Sequence, residues 1–393
     1  MVLYSLTRRE YSALMSDSQQ LFDLRAIHPG KMLRQLMDER GWKPEELASI
    51  TGISRQMIYY ILTGKSNITP ETATRLAAAL GNTAEEWIKW DALFKLASTD
   101  TDTSAIGLMA RLYAVAPIRD MQRRGWIKTT ADPSELEQEL TNFFGRNPMN
   151  EDVSLPVAAK RTILMPTLNV AEKAWCFRAR QLGKLVPAAQ FTPEMLDQTE
   201  KKLRKLAAFR KETRHVPKVL AECGIRLVII EPLPGVRIDG ATLWLDTEPV
   251  IAMSLRYDRI DGFWFTLMHE FSHVRHGDAS VDTELVDGVR GVAVRLVEEE
   301  AEMMANREAA NSLIAQTELN SFIGRVGPFY PRERVIQFAH RMKIHPGIVV
   351  GQLQHRNEIG YSALRKMLVT IRDTITSTAL TDGWNQEVSP SVV

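Results

Sequence analysis

The sequence predicts a mainly helical α+β protein, with two helical blocks around one small antiparallel β-sheet. Three observations carry that expectation. Apolar residues recur at helical spacing behind capping residues from 29 to 97, and again from Asp261 nearly to the end. Between these blocks, Ile225–Ile230, Ala241–Leu245 and Val250–Leu255 are short apolar runs separated by Glu231–Gly235 and Asp246–Pro249, the pattern of strands joined by turns. The chain also has 393 residues, 45% hydrophobic and 25% charged, a globular composition with room for two or three domains.

Charge and cysteine content narrow the function classes. With 49 Lys plus Arg against 48 Asp plus Glu, the net charge is +1. That excludes coating nucleic acid by bulk electrostatics but leaves a local reading face open. Cys176 and Cys223 are too few for a disulfide framework or a thiolate zinc cluster. No apolar run is long enough to span a bilayer, and no N-terminal stretch reads as a secretory signal. A reduced, cytoplasmic protein with no membrane contact is the expectation.

The order along the chain reads as an N-terminal extension (1–28) with a weak helical stretch from Arg8 to Phe22, then a first helical domain (29–97). An accessory helical region follows (98–214), opened by the Ser/Thr/Asp-rich break Ser98–Ser104. In it Thr192–Arg214 reads as one amphipathic helix with Leu196, Leu203, Leu206 and Phe209 inward. A core of strands and two strong helices (215–315) precedes a C-terminal helical region (316–380) and a polar tail (381–393), which should fray.

Pro44 to Leu62 has the spacing of a helix-turn-helix. Ala48 allows two helices to cross closely, and Gly52 permits the positive φ of the turn. Leu47, Ile53, Ile58 and Leu62 supply the apolar contacts, and Ser54 is placed to cap the second helix. That helix presents Arg55, Gln56, Tyr59 and Tyr60 outward, where Arg and Gln can make bidentate contacts to guanine and adenine. Lys65 and Asn67 suit phosphate contacts. The flanks agree: Gly30–Arg40 is amphipathic, Thr69-Pro70-Glu71 starts a helix, and Thr83 to Glu86 is a capping box. A purely protein-binding helical domain is the competing reading.

His28-Pro29-Gly30, Ser54-Arg55-Gln56, Gly64-Lys65, Ile68-Thr69-Pro70-Glu71, Leu80-Gly81 and Trp87 resemble the HigA-like antitoxin branch of the XRE repressor family, over residues 28–97. The resemblance implies five helices that read double-stranded operator DNA as a homodimer, often repressing their own operon.

The second constellation is His269-Glu270-Phe271-Ser272-His273. Residues four apart share a helix face, so both imidazoles can reach one ion, and neutral imidazole suits zinc. Glu270 lies where it can act on a water rather than on the metal. A catalytic zinc normally takes a third protein ligand. Glu300, directly before Ala301 and one turn from Ala305, is the choice within Glu298-Glu299-Glu300-Ala301-Glu302. Its acidic neighbours are assigned to other faces, and His276 is a rival ligand expected to end the helix or face a carboxylate.

Phe265-Thr266-Leu267-Met268 through His273, with Glu298-x-Glu300-Ala301-Glu302, resembles the ImmA/IrrE metallopeptidases over residues 215–315. The departures are Phe271-Ser272, where Leu-Gly is frequent, and Met303-Met304, where an aromatic is common. The resemblance implies a zincin-like fold with a Zn2+ cofactor, His269, His273 and Glu300 as ligands and Glu270 as catalytic base. It also implies a protein substrate, a repressor or a partner such as a toxin, in a stress, phage or toxin–antitoxin circuit. That substrate is expected to lie along an exposed strand edge at Val250 to Ser254. The alternative is a non-enzymatic antitoxin-like repressor whose peptidase fold serves as a scaffold for a toxin or other partner.

Overall fold

Contacts divide the protein into two units, Met1–Thr103 and Ser104–Val393. The computed structural model describes residues 28–99, 102–149, 168–277 and 292–385, with the side chains of 292–299 excepted. The weak helix expected over Arg8–Phe22 and the tail beyond Asn385 lie outside these residues.

The described residues of the first unit form five helices: α1 (Pro29–Asp38), α2 (Pro44–Thr51), α3 (Arg55–Leu62), α4 (Pro70–Leu80) and α5 (Ala84–Ser98). Local chemistry sets their ends. Proline opens α1, α2 and α4, where its missing N–H costs nothing. The Thr69 hydroxyl accepts from the Thr72 N–H, and Thr83 with Glu86 forms the expected capping box. Gly52, at φ 67°, ends α2 in the left-handed conformation that makes the tight turn into α3. Leu33, Leu47, Ile58, Leu76, Leu80 and Trp87 are fully buried between the helices.

The second unit is three-layered. On one face of its sheet lie α6 (Ser104–Val115), α7 (Ile118–Arg123), α8 (Pro133–Phe144) and α9 (Val170–Gly183). Then come α10 (Leu196–Leu206) and α11 (Val216–Glu222), followed by β1 (Arg226–Ile230), β2 (Gly240–Leu245) and β3 (Glu248–Met253). After the sheet strands run α12 (Ile260–His276), α13 (Val292–Leu313), α14 (Gln316–Val326), α15 (Arg332–Met342) and α16 (Pro346–His355). A single turn, Arg372–Ile375, leads into β4 (Leu380–Asp382). The expected long helix over Thr192–Arg214 is shorter: α10 stops at Leu206, a 3₁₀ stretch covers Arg210–His215, and Phe209 is 68% exposed.

The sheet is mixed rather than purely antiparallel. Its order is β2-β3-β1-β4, with β1 parallel to both β3 and β4 and only β2–β3 antiparallel. Parallel strands are covered on both faces, and the side chains follow. Leu227, Ile229, Ile251 and Met253 join the core under α10–α16, whereas Val228, Ile230, Val250 and Ala252 join the core under α6–α9. Val250–Ser254, expected at an edge, therefore lies inside: β3 sits between β2 and β1, and Val250 and Ser254 are fully buried. The outer strands are β2 and β4.

The start of the tail is ordered by a buried ionic cluster. Asp382, 3% exposed, accepts from Arg124 Nη2 at 2.9 Å, from Trp126 Nε1 at 3.0 Å and from Arg178 Nε at 2.5 Å. Arg124 also reaches Glu231 at 3.2 Å. Among the described residues, no helix is long and apolar enough to cross a membrane.

Removing one partner of such a cluster strands buried charge. Asp382→Ala should lower the unfolding free energy of the second unit by about 3–5 kcal/mol, and Asp382→Asn by less. Urea denaturation followed by tryptophan fluorescence measures it, with Trp126 reporting from within the cluster.

Candidate metal centre and helix-turn-helix face

Helix α12 is driven into the second unit's core by Phe263, Trp264, Leu267, Met268, Phe271 and Val274, all buried. The same burial carries polar residues inward: Glu270 is 3% exposed and His273 2%. His269 and His273, one turn apart, face each other with their Nε2 atoms 3.1 Å apart. Their third neighbour comes from α13. Glu302 straddles both rings, with Oε2 3.3 Å from His269 Nε2 and Oε1 3.3 Å from His273 Nε2. One donor atom from each residue lies within 4.8 Å of the others.

This donor set fits zinc. Two imidazole nitrogens and a carboxylate oxygen are its usual ligands, and a tetrahedral ion with bonds of about 2.0–2.1 Å spaces its ligand atoms about 3.3–3.4 Å apart. Burial opposes a charge on Glu302, but hydrogen bonds and charge from His269 and His273 outweigh it and hold the carboxyl down at about 2.

Among the described residues, Glu302 and not Glu300 is thus the carboxylate at the imidazoles, and Glu300 is exposed. The reason is helical phase. Residues 302, 305, 309 and 313 follow one stripe, and Ala305, Ala309 and Leu313 are buried on it. Two residues back, Glu300 is turned about 200° around a helix of 3.6 residues per turn. The spacing of Ala305, Ala309 and Leu313 was the signal in the sequence; the flanking Ala301 was a poorer guide. The side chains of Glu298 and Glu299 lie outside the described residues.

Glu270 is anchored to the outer strand β2. The Thr242 hydroxyl donates to its Oε2 at 2.8 Å, and a Cβ added at Gly240 would sit 2.8 Å from its Oε1 and 2.6 Å from Thr266 Cγ2. Glycine at 240 is what allows α12 this close to β2. Neither Thr242 nor Gly240 carried a local signal, because their meeting with Glu270 depends on hairpin register. Ser272 donates to Glu308 Oε2 at 2.6 Å, and His276 Nε2 lies 3.1 Å from both oxygens of the same carboxylate. His276 therefore faces a carboxylate and ends α12 ahead of Gly277. These hydrogen bonds from Ser272 and His276 overcome burial and keep the Glu308 carboxyl below its ordinary range. Val250 in β3 and Ser254 just after it are buried, so neither presents the exposed strand edge expected for a substrate chain.

In the first unit, Ser54 caps α3 by accepting the Met57 N–H. Arg55, Gln56 and Tyr59 on that helix are exposed, and Tyr60 is half-buried. Arg55 pairs with Glu45 of α2, and Gln56 Nε2 donates to the Tyr60 hydroxyl at 2.7 Å. Lys65 and Asn67, just past α3, are exposed.

Residues 33–88 match the helix-turn-helix family. Virulence-associated protein I of Dichelobacter nodosus is 29% identical over 91 residues, which span 23% of this chain and 84% of that protein. A solved structure of an addiction module antidote protein of a HigA family from Coxiella burnetii is 30% identical, over 20% of this chain and 88% of that one, with a TM-score of 0.19. The N-terminal unit contains a helix-turn-helix domain of XRE type.

The depressed Glu302 carboxyl has a consequence for acid stability. Its folded value of about 2 lies below the ordinary 4.5, so metal-free protein carries this stabilisation above about pH 4.5 and loses it as pH falls toward 2. Glu302→Gln should flatten the stability curve between those values, measured by urea unfolding at stepped pH. The same steepness in wild type and variant would contradict the assignment.

Proposed function

We propose that this chain is a transcriptional regulator that reads double-stranded operator DNA through α2 and α3 and carries a zinc-dependent endopeptidase of ImmA/IrrE type in its second unit. The DNA-reading half rests on the helix-turn-helix match over residues 33–88 and on the exposed Arg55, Gln56 and Tyr59. On this reading it works as a homodimer in a stress, phage or toxin–antitoxin circuit. The peptidase half rests on one observation: His269, His273 and Glu302 offer three zinc-type donors around one point, beside a buried Glu270 that is not among them.

When bound, zinc supplies Lewis-acid chemistry toward a peptide carbonyl and toward water. Glu270 takes the proton of the attacking water and passes it to the leaving amine. Thr242 fixes the Glu270 carboxylate against β2. As an outer strand next to α12, β2 is the element along which an extended substrate chain would align by main-chain hydrogen bonds. The substrate on this reading is a folded repressor or partner protein with an extended segment.

The purified protein should hold about one zinc per chain, since the described residues build one three-ligand donor set. His273→Ala and Glu302→Ala should lose the metal, whereas Glu300→Ala should keep it, as read by metal analysis. Glu270→Gln should keep zinc and slow cleavage of the natural target at least about 100-fold. A Glu270→Gln protein that supports the same biological output would instead make the second unit a partner-binding scaffold. For the first unit, Arg55→Ala and Gln56→Ala should each weaken operator discrimination by about 1–3 kcal/mol. Footprints that do not change would move DNA reading to another surface.

A further inference from the structure

A cavity of ≈ 510 Å³ opens between α12, α13 and α16, and the metal centre does not account for it. The two share a wall. Phe265 lines the cavity, lies one turn before His269, and has its ring centroid 6.4 Å from the His269 imidazole. It also stacks on His355 at 6.2 Å. Ala310, Leu313 and Ile348 extend the apolar lining, and the size falls in the range of small-ligand pockets.

The polar groups of the interior are already used. Gln352 donates to Ala310 O at 2.9 Å and accepts from Gln316 at 3.2 Å. Gln354 donates to Tyr361 O and Ala363 O and accepts from Arg259. Asp261, the carboxylate of the lining, is held by Arg259 at 2.6 and 3.0 Å. Two other lining cations are not neutralised in this way. Among the described residues, Arg307 has no carboxylate within ion-pair range, and Arg356 donates only to the neutral amides of Asn320 and Gln316. The cavity thus joins an apolar floor to uncompensated positive charge, which attracts an anion attached to an apolar body.

We infer that this cavity reads the substrate of the metal centre, taking a large apolar side chain whose chain carries an acidic residue two positions away. The inference rests on the peptidase reading and names its substrate class. In an extended chain, residues two apart point to the same side, so one side chain enters the cavity while the other meets Arg307 and Arg356.

The test separates this pocket from the metal chemistry by measuring binding, both with and without zinc. The probes are the blocked tripeptides acetyl-Phe-Ala-Glu-amide, acetyl-Phe-Ala-Lys-amide and acetyl-Ala-Ala-Glu-amide, titrated by NMR into the full chain. The first should bind with a Kd of about 1 mM or below and the other two about tenfold more weakly. Gly262 lines the cavity, and a Cβ added there meets nothing within 4 Å, so a leucine at this position can leave the backbone unhindered and occupy the cavity. Gly262→Leu should abolish binding of the first peptide and leave zinc content unchanged. Arg307→Ala with Arg356→Ala should erase the preference for Glu over Lys. The inference is overturned if the first peptide fails to bind up to about 10 mM, if Glu and Lys peptides bind alike, or if Gly262→Leu binds as wild type does. A protein that holds no zinc yet shows this selectivity would support the pocket and sink hydrolysis.

Discussion

The second unit depends on how closely α12 can approach two neighbours at once. Against α13, Ala305 and Ala309 keep the interface thin, so Glu302, on the same stripe, reaches both imidazoles. Against the sheet, Gly240 removes the Cβ that would strike Glu270 and Thr266. Larger residues at 305 or 309 would separate the donors, and one at 240 would displace Glu270 from β2. The apolar face of α12 supplies the force that holds this spacing, through six buried side chains between Phe263 and Val274. In that setting a buried carboxylate and two imidazoles need partners. Glu302 serves the imidazoles, Thr242 serves Glu270, and Glu308 collects Ser272 and His276.

The same core explains why the sheet is built as it is. Strand β1 lies between two parallel neighbours and has apolar residues on both faces, so helices must cover both sides. β4 arrives from the far end of the chain and is fastened by Asp382 to Arg124, Trp126 and Arg178. Strand β2 is left on the outside, beside the helix that carries the imidazoles. The outer strand and the donor set are thus two results of one topology.

What could be read from the sequence was what local chemistry decides. Prolines at helix starts, Thr69, Thr83 and Gly52 mark their helix ends by interactions within a few residues, so the five helices of the first unit were legible. The pair His269 and His273 was legible for the same reason, being one turn apart. Features set by distant partners were not. The parallel pairing of β4 with β1 joins residues about 150 positions apart, and a three-residue strand has too little pattern to announce itself. The interior position of Val250–Ser254 was not legible, because strand order is a non-local property. The position of Glu302 rather than Glu300 at the imidazoles, by contrast, was legible, because the buried stripe through Ala305, Ala309 and Leu313 gives the phase.

Whether His269, His273 and Glu302 hold one zinc ion decides the chemistry of the second unit. X-ray absorption at the zinc edge of the purified protein tests it most directly. The expected spectrum shows a four-coordinate shell of two imidazole nitrogens and oxygen ligands, with bonds of about 2.0–2.2 Å. A spectrum without imidazole scattering, or one with sulfur at about 2.3 Å, would contradict it.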